Sequence, residues 1–139
     1  LRGSNFLLTI QKLAQIRKQI KVVNDQKGGP TSSRAIAEGT AGILEQCIKG
    51  TAVSQVFTDS GVFHMTCSGE TSWFGFANKI IEFSGLSKDT VVIPIPTSEY
   101  PTPAIRPEYS LLSNKKLKQV FHHEMPPWQD ALQECLNSG

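Results

Sequence analysis

Arg106 sits between Ile105 and Pro107 in SEYPTPAIRPEYSLL, residues 98–112, a stretch with three prolines and two tyrosines. A guanidinium is always charged and presents its N–H donors as a fork, so it can grip a carboxylate or phosphate through two hydrogen bonds at once. Pro103 and Pro107 restrict the backbone on either side, which lowers the entropy lost when such a contact forms. The stretch is too stiff for a helix and too rich in proline for a central strand. From the residues alone, a solvated arginine in a proline-rich loop is the plainer explanation.

NDQKGGPT, residues 24–31, is the second place where chemistry is possible. Gln26 offers amide donors and an acceptor, and Gly28 and Gly29 would let backbone N–H groups approach a ligand. A strand-to-helix turn that needs glycine and a cap accounts for the same residues. The run His122, His123, Glu124 contains metal-ligand types, but adjacent side chains at a helix end diverge, so no metal site is expected there. His64 falls mid-strand and reads as a core or boundary histidine. Neither tyrosine is followed by lysine four positions on: Tyr100 meets Ala104, and Tyr109 meets Ser113. No nucleophile with an adjacent base can be named, and GxGxxG, GxxxxGK[ST] and HExxH are all absent. The catalytic assignment from these residues is none.

The elements that must position these groups alternate along the chain. Ser4 or Asn5 can cap a first helix that places Phe6, Ile10, Leu13 and Ala14 on one face and ends near Lys18 or Gln19. IKVVND reads as a short strand. Thr31 or Ser32 then caps a second helix whose expected buried side is Ile36, Thr40, Ile43, Leu44 and Cys47, with Gly39 and Gly42 inside it where another element comes close. After a polar linker around KGTAVSQ, the alternation of GVFHMTC predicts a strand. Thr71 or Ser72 caps a helix that buries Trp73, Phe76, Ala77, Ile80 and Ile81 and stops at Gly85. VVIPI is a strand that Pro94 confines to an edge or an end. Two further helices carry Leu117, Val120 and Phe121, then Trp128, Ala131, Leu132, Cys135 and Leu136, with Pro127 at the start of the last. Trp73 and Trp128 both fit apolar stripes. There is no internal repeat or low-complexity tract.

Composition sets the outer limits. A chain of 139 residues with 14 basic and 12 acidic side chains carries a net charge of +2 and suits one core. The one basic cluster, Lys115, Lys116 and Lys118, reads as a solvated helix face, so no nucleic-acid partner is expected. Cys47, Cys67 and Cys135 form no CxxC pair and read as small buried hydrophobes in a reducing cytoplasm. No apolar run reaches the roughly 20 residues of a membrane helix, and no signal peptide is evident.

Taken together, VVNDQKGGPTSSRAIAE, GVFHMTCSGETSWFGFANKII and PIPTSEYPTPAIRPEYSLLSNKKL, followed by PPWQDALQECL, resemble the C-terminal half of the dTDP-4-dehydrorhamnose reductases in order and spacing. Those enzymes are extended short-chain dehydrogenases. The resemblance implies an α/β fold, a mixed small sheet with about five helices, in which residues 1–139 form the sugar-nucleotide-binding region. It implies a parent enzyme that uses NADPH or NADH, bound on an N-terminal Rossmann domain, to reduce the C4 ketone of dTDP-4-dehydro-L-rhamnose. The glycine fingerprint and the Tyr-x-x-x-Lys motif of that family would precede Leu1, so this chain is expected to bind no cofactor and to be inactive alone. Arg106 becomes the diphosphate candidate, with Gln26, Asn5 and Thr31 as further substrate-binding candidates and Tyr100 and Tyr109 as anchors of the proline-rich arm. The family's proposed dimer metal would fall at Arg34 and Ser138, types that do not favour a cation, so no metal is expected. Without its partner domain the chain should expose a strand edge at GVFHMTC and an apolar patch, and so self-associate or swap elements. A non-catalytic homologue that binds a protein partner is the alternative reading.

Overall fold

The structure is a computed structural model that describes residues 5–49, 61–86 and 89–137. It has the expected mixed α/β character, with five α-helices and two small sheets among the described residues. Helix α1, Phe6–Ile16, begins where the Asn5 side-chain oxygen accepts the Leu8 N–H at 2.9 Å, and it buries Ile10 and Ala14. It ends earlier than its apolar periodicity suggests, because Arg17 turns extended to feed strand β1, Gln19–Val23. Strand β1 pairs in parallel with β4, Val91–Ile95, from Gln19 opposite Val91 to Val23 opposite Ile95. Among the described residues each strand of this pair has a free side, so Pro94 is tolerated as an edge residue.

A second, antiparallel pair joins β2, Lys27–Gly28, to β3, Thr71–Ser72. Helix α2, Ser33–Ile48, starts from Ser32, whose hydroxyl oxygen accepts the Ala35 N–H at 3.0 Å. Helix α3, Trp73–Ser84, starts in the same way from Ser72 and stops at Gly85, whose φ of 60° is the left-handed conformation that glycine adopts without penalty. Helices α4, Lys115–Phe121, and α5, Trp128–Asn137, complete the chain. Helix α3 is the hub: it packs on α1, α5 and both strands of the parallel pair, and Ala77 and Ile80 have no exposed surface.

Three expectations from the sequence are corrected. Helix α2 buries Ala35 and Gly39 rather than the predicted stripe, leaving Thr40 exposed, Ile43 and Cys47 half-buried, and Ile36 and Leu44 42% and 55% exposed. Its inward face carries its smallest residues. A Cβ on Gly39 would lie 3.0 Å from the Met125 sulfur, 3.1 Å from His123 Nε2 and 3.3 Å from the Met65 sulfur, so a larger residue there would require these side chains to give way by a few tenths of an ångström. At Gly42 the nearest atom would be 3.8 Å away, so the close approach involves Gly39 alone.

Among the described residues of GVFHMTC no strand forms. The alternation survives without a ladder: Phe63 and Met65 are half-buried, Cys67 is buried and His64 is exposed. Side chains hold the backbone instead, as Thr66 donates its N–H to Asn114 Oδ1 at 3.1 Å and Cys67 donates its own to Thr31 Oγ1 at 3.0 Å. Trp73, the third correction, is 37% exposed, because it stands in the first turn of α3 beside a cleft. Burial raises the Cys67 thiol above its ordinary value and keeps it neutral; Cys47 and Cys135 are only half-buried. Ser138 and most of KGTAVSQ lie outside the described residues.

Candidate functional site

A cleft of about 550 Å³ opens where α1, α2 and α3 begin. Asn5, Phe6 and Leu7 of α1, Ser32 and Ser33 at the head of α2, and Ser72 and Trp73 at the head of α3 all line it. None of these helices carries an acidic residue in its first turn. Their unpaired N–H groups and positive dipole ends therefore act on the cleft without cancellation by their own side chains. That arrangement favours an anion.

One wall is aromatic. The Phe6 and Trp73 rings meet at 4.7 Å, tilted by 57°, Phe6 stacks on Phe76 at 5.7 Å, and Phe76 meets Trp128 edge-on at 5.8 Å. Trp128 is buried, and its indole N–H has no partner among the described residues. Arg106, Pro107 and Ser110 also line the cleft, and they come from an arm, residues 97–110, that begins with a single 3₁₀ turn at Thr97–Glu99.

Both ends of this arm are tied to the residues flanking Gln26. At the near end, the Asp25 carboxylate accepts the Thr97 N–H at 2.9 and 3.0 Å and the Thr97 hydroxyl at 2.6 Å. The hydroxyl bond first, then the amide bond, lowers the Asp25 pKa below its ordinary value. At the far end, Lys27 donates its N–H to Glu108 O at 2.7 Å and Ser110 donates its N–H to Lys27 O at 2.9 Å. Tyr109 adds a hydroxyl bond of 3.0 Å to Glu70, which also pairs with Lys27 at 3.3 Å. Those two contacts, Tyr109 first, lower the Glu70 pKa, and Glu70 raises that of Tyr109. Tyr109 is thus an anchor through its hydroxyl, whereas the Tyr100 side chain makes no hydrogen bond among the described residues and the near anchor is Thr97.

The four residues singled out in the sequence all reach this cleft. Arg106 is exposed on the arm and, of the two cations lining the cleft, is the one without a carboxylate partner among the described residues. Gln26 is 8% exposed and donates an amide N–H to Thr97 Oγ1 at 3.0 Å. Asn5 uses its oxygen as the α1 cap, which leaves its NH₂ group for other partners. Thr31 donates its hydroxyl proton to Gly29 O at 3.0 Å and accepts from Cys67, so it fixes the turn into α2. The space beside Gly28 and Gly29 is filled by the protein itself: a Cβ would lie 2.9 Å from Ser110 Oγ and 3.1 Å from Leu111 Cδ1 respectively. The glycines are where the arm's exit packs down. Sequence reasoning missed the aromatic wall, because its members share the spacing of core residues, and it missed Asp25 and Thr97, which lie 72 residues apart.

The metal-ligand types near the C-terminus fall in two places. His123 packs toward Gly39, while His122 and Glu124 border a surface notch beside Lys118. No group of three or more His, Cys, Asp or Glu among the described residues could hold a metal ion. None of the described helices is long and apolar enough to cross a membrane.

The architecture is that of a small α/β domain in which three helix starts and the proline-rich arm border a cleft of ligand size. Residues 1–139 match the family described as the RmlD substrate binding domain, and the chain belongs to that family. It is 46% identical to a dTDP-4-dehydrorhamnose reductase from Burkholderia thailandensis, over 97% of this chain and 47% of that protein. It is 32% identical to one from Escherichia coli K12, over 98% of this chain and 45% of that protein. Among solved structures, a dTDP-4-dehydrorhamnose reductase from Bacillus anthracis in complex with NADP superposes with a TM-score of 0.83 at 28% identity, covering 100% of this chain and 45% of that one. A dTDP-4-dehydrorhamnose reductase from Clostridium acetobutylicum gives 0.81 at 34% identity, covering 98% of this chain and 44% of that one. The chain therefore spans about half the length of the relatives it matches, and the resemblance read from the three motifs holds at the level of the family.

Proposed function

We propose that this chain is the sugar-nucleotide-binding part of an NAD(P)H-dependent reductase that converts dTDP-4-dehydro-L-rhamnose to dTDP-L-rhamnose, and that the cleft holds the dTDP-sugar. The observation that carries this reading is the convergence of three helix N-termini, free of first-turn acids, beneath an arm that presents Arg106. A diphosphate needs cationic and N–H donors, and a base and sugar need apolar walls with a few placed polar groups. Arg106 grips the diphosphate, Gln26 and the Asn5 NH₂ group meet polar groups of the ligand, and Thr31 holds the turn beneath it. Phe6 and Trp73 offer the base an aromatic surface. These residues bind and orient. Residues 1–139 contain no Tyr-x-x-x-Lys motif or dinucleotide fingerprint, so no proton or hydride step is assigned to them. The hydride comes from NADPH or NADH held by a Rossmann domain outside these residues.

Two further features belong to this reading. Three free thiols suit a reducing cytoplasm. The exposed Ile36, Leu44 and Ile48 of α2 form an apolar stripe that favours self-association. Calorimetric titration of dTDP into the wild-type protein and Arg106→Ala tests the central reading. A charge-assisted bond of about 1.5–3 kcal/mol predicts a loss of roughly 10- to 150-fold in the variant. Failure of the wild type to bind would overturn it.

A further inference from the structure

We propose that Asp25 and Thr97 lock the Gln26 amide with its carbonyl oxygen toward the cleft, so that the site demands a hydrogen-bond donor from its ligand. The inference rests on the sugar-nucleotide reading and adds a specificity element to it. Gln26 is the buried polar side chain among the described residues, at 8% exposure. A terminal amide can turn over and exchange its donor and acceptor ends, so which end faces a ligand must be decided by its neighbours.

Here the neighbours decide it. The Asp25 carboxylate can only accept, and it takes both the N–H and the hydroxyl proton of Thr97. With its single proton committed at 2.6 Å, the Thr97 oxygen can only accept from Gln26, which it does from Nε2 at 3.0 Å. Turning the amide over would bring its carbonyl oxygen against the lone pairs of the Thr97 oxygen, two acceptors at hydrogen-bond distance. Gln26 Oε1 is therefore held away from Thr97, has no hydrogen-bond partner among the described residues, and is not among the sealed-off polar atoms. Gln26 lines the cleft that Arg106 overhangs. Asp25 and Thr97 act through Gln26 and are positioning residues.

A thymidine diphosphosugar has two kinds of donor to offer, the imide N3–H of the base and the hydroxyls of the sugar. The experiment separates them. Titrations of dTDP, N3-methyl-dTDP and dTDP-L-rhamnose are run on the wild type, Asp25→Asn, Thr97→Val and Thr97→Ser. In Asp25→Asn the new NH₂ group can donate to Thr97, whose proton is then released toward Gln26, which turns the amide over. Asp25→Asn and Thr97→Val should each weaken the donor-bearing ligand about tenfold, the consequence of losing one hydrogen bond beside an unpaired buried group. Thr97→Ser should restore wild-type affinity.

If the base is read, the wild type binds dTDP about tenfold tighter than N3-methyl-dTDP, and that preference disappears in both damaging variants. If the sugar is read, the loss is confined to dTDP-L-rhamnose. Either outcome supports the proposal. Unchanged affinities and preferences in Asp25→Asn and Thr97→Val, with Arg106→Ala still weakened, overturn it and leave the nucleotide reading standing. Absence of dTDP binding by the wild type overturns both. A readout independent of ligand comes from ¹⁵N spectra of the free protein: one slowly exchanging Gln26 side-chain proton is expected, and it should be lost in Thr97→Val.

Discussion

Replacing the two glycines of α2 by alanine, one at a time, should have opposite effects on stability. Alanine is favoured over glycine inside a helix by about 1 kcal/mol. At Gly42 the added methyl would find only His123, with Cε1 at 3.8 Å and Nδ1 at 4.0 Å, which is ordinary contact. The full gain should therefore be realised, and Gly42→Ala should be more stable by about 1 kcal/mol. At Gly39 the same methyl meets three atoms at 3.0, 3.1 and 3.3 Å, two of them thioether sulfurs inside methionine side chains. Met125 is 5% exposed and has little room to yield. Overpacking of this kind costs about 1–3 kcal/mol, so after the helix gain Gly39→Ala should be less stable by about 1 kcal/mol. The two variants should differ by about 2 kcal/mol, roughly 6 °C in Tm for a chain of this length. Thermal and urea unfolding of both, with equal urea slopes, measures the difference. If Gly39→Ala melts as high as Gly42→Ala, the close seating of α2 on Met65, His123 and Met125 is wrong.

Three other outcomes follow from the cleft and its surroundings. Binding of dTDP should quench tryptophan fluorescence in the wild type and lose most of that response in Trp73→Phe; an undiminished response would assign the signal to Trp128 and remove Trp73 from the ligand wall. The folded pKa of Asp25 lies below the ordinary 3.8 because Thr97 stabilises its charged form. This tether is therefore complete above about pH 4 and is lost as pH falls through the depressed folded value, so an NMR titration of the Asp25 carboxyl carbon should have its midpoint below 3.8. A midpoint at or above that value would contradict the Thr97 contacts. Light scattering should show a mass that rises with concentration and falls toward the monomer in Ile36→Lys/Leu44→Lys; a concentration-independent monomer would remove α2 as a self-association surface.

The legible parts of the fold were those written in local patterns. Asn5, Ser32 and Ser72 cap helices because a short polar side chain there reaches an unpaired N–H two or three residues on, and that geometry needs no tertiary partner. Gly85 and Pro94 likewise carry their positions in their own backbones. The face of α2 was misread because hydrophobicity was taken as the sign of burial, whereas Ala35 and Gly39 are buried for their small size. GVFHMTC was misread because a period of two reports which side chains face inward and is silent about whether a neighbouring strand exists. The candidate site divided in the same way. Arg106 and Gln26 stood out through unusual local settings. Asp25 with Thr97, and Glu70 with Tyr109, are partners only after folding, 72 and 39 residues apart, and no spacing rule links them.

Fastening both ends of the arm to Asp25 and Lys27 makes the segment between them a replaceable cassette. Its anchors are backbone and side-chain bonds at Thr97, Glu108 and Ser110, and Ile105 at the tip is fully exposed. Loop-closure entropy changes by only about 0.6 kcal/mol for a doubling of length, so tips of other lengths and sequences could be exchanged between those anchors at small cost to the fold. A library grafted there with Arg106 retained would vary what stands around the diphosphate grip while the helix ends and Gln26 stay in place, which makes this arm the natural point at which to redirect the domain toward other nucleotide sugars.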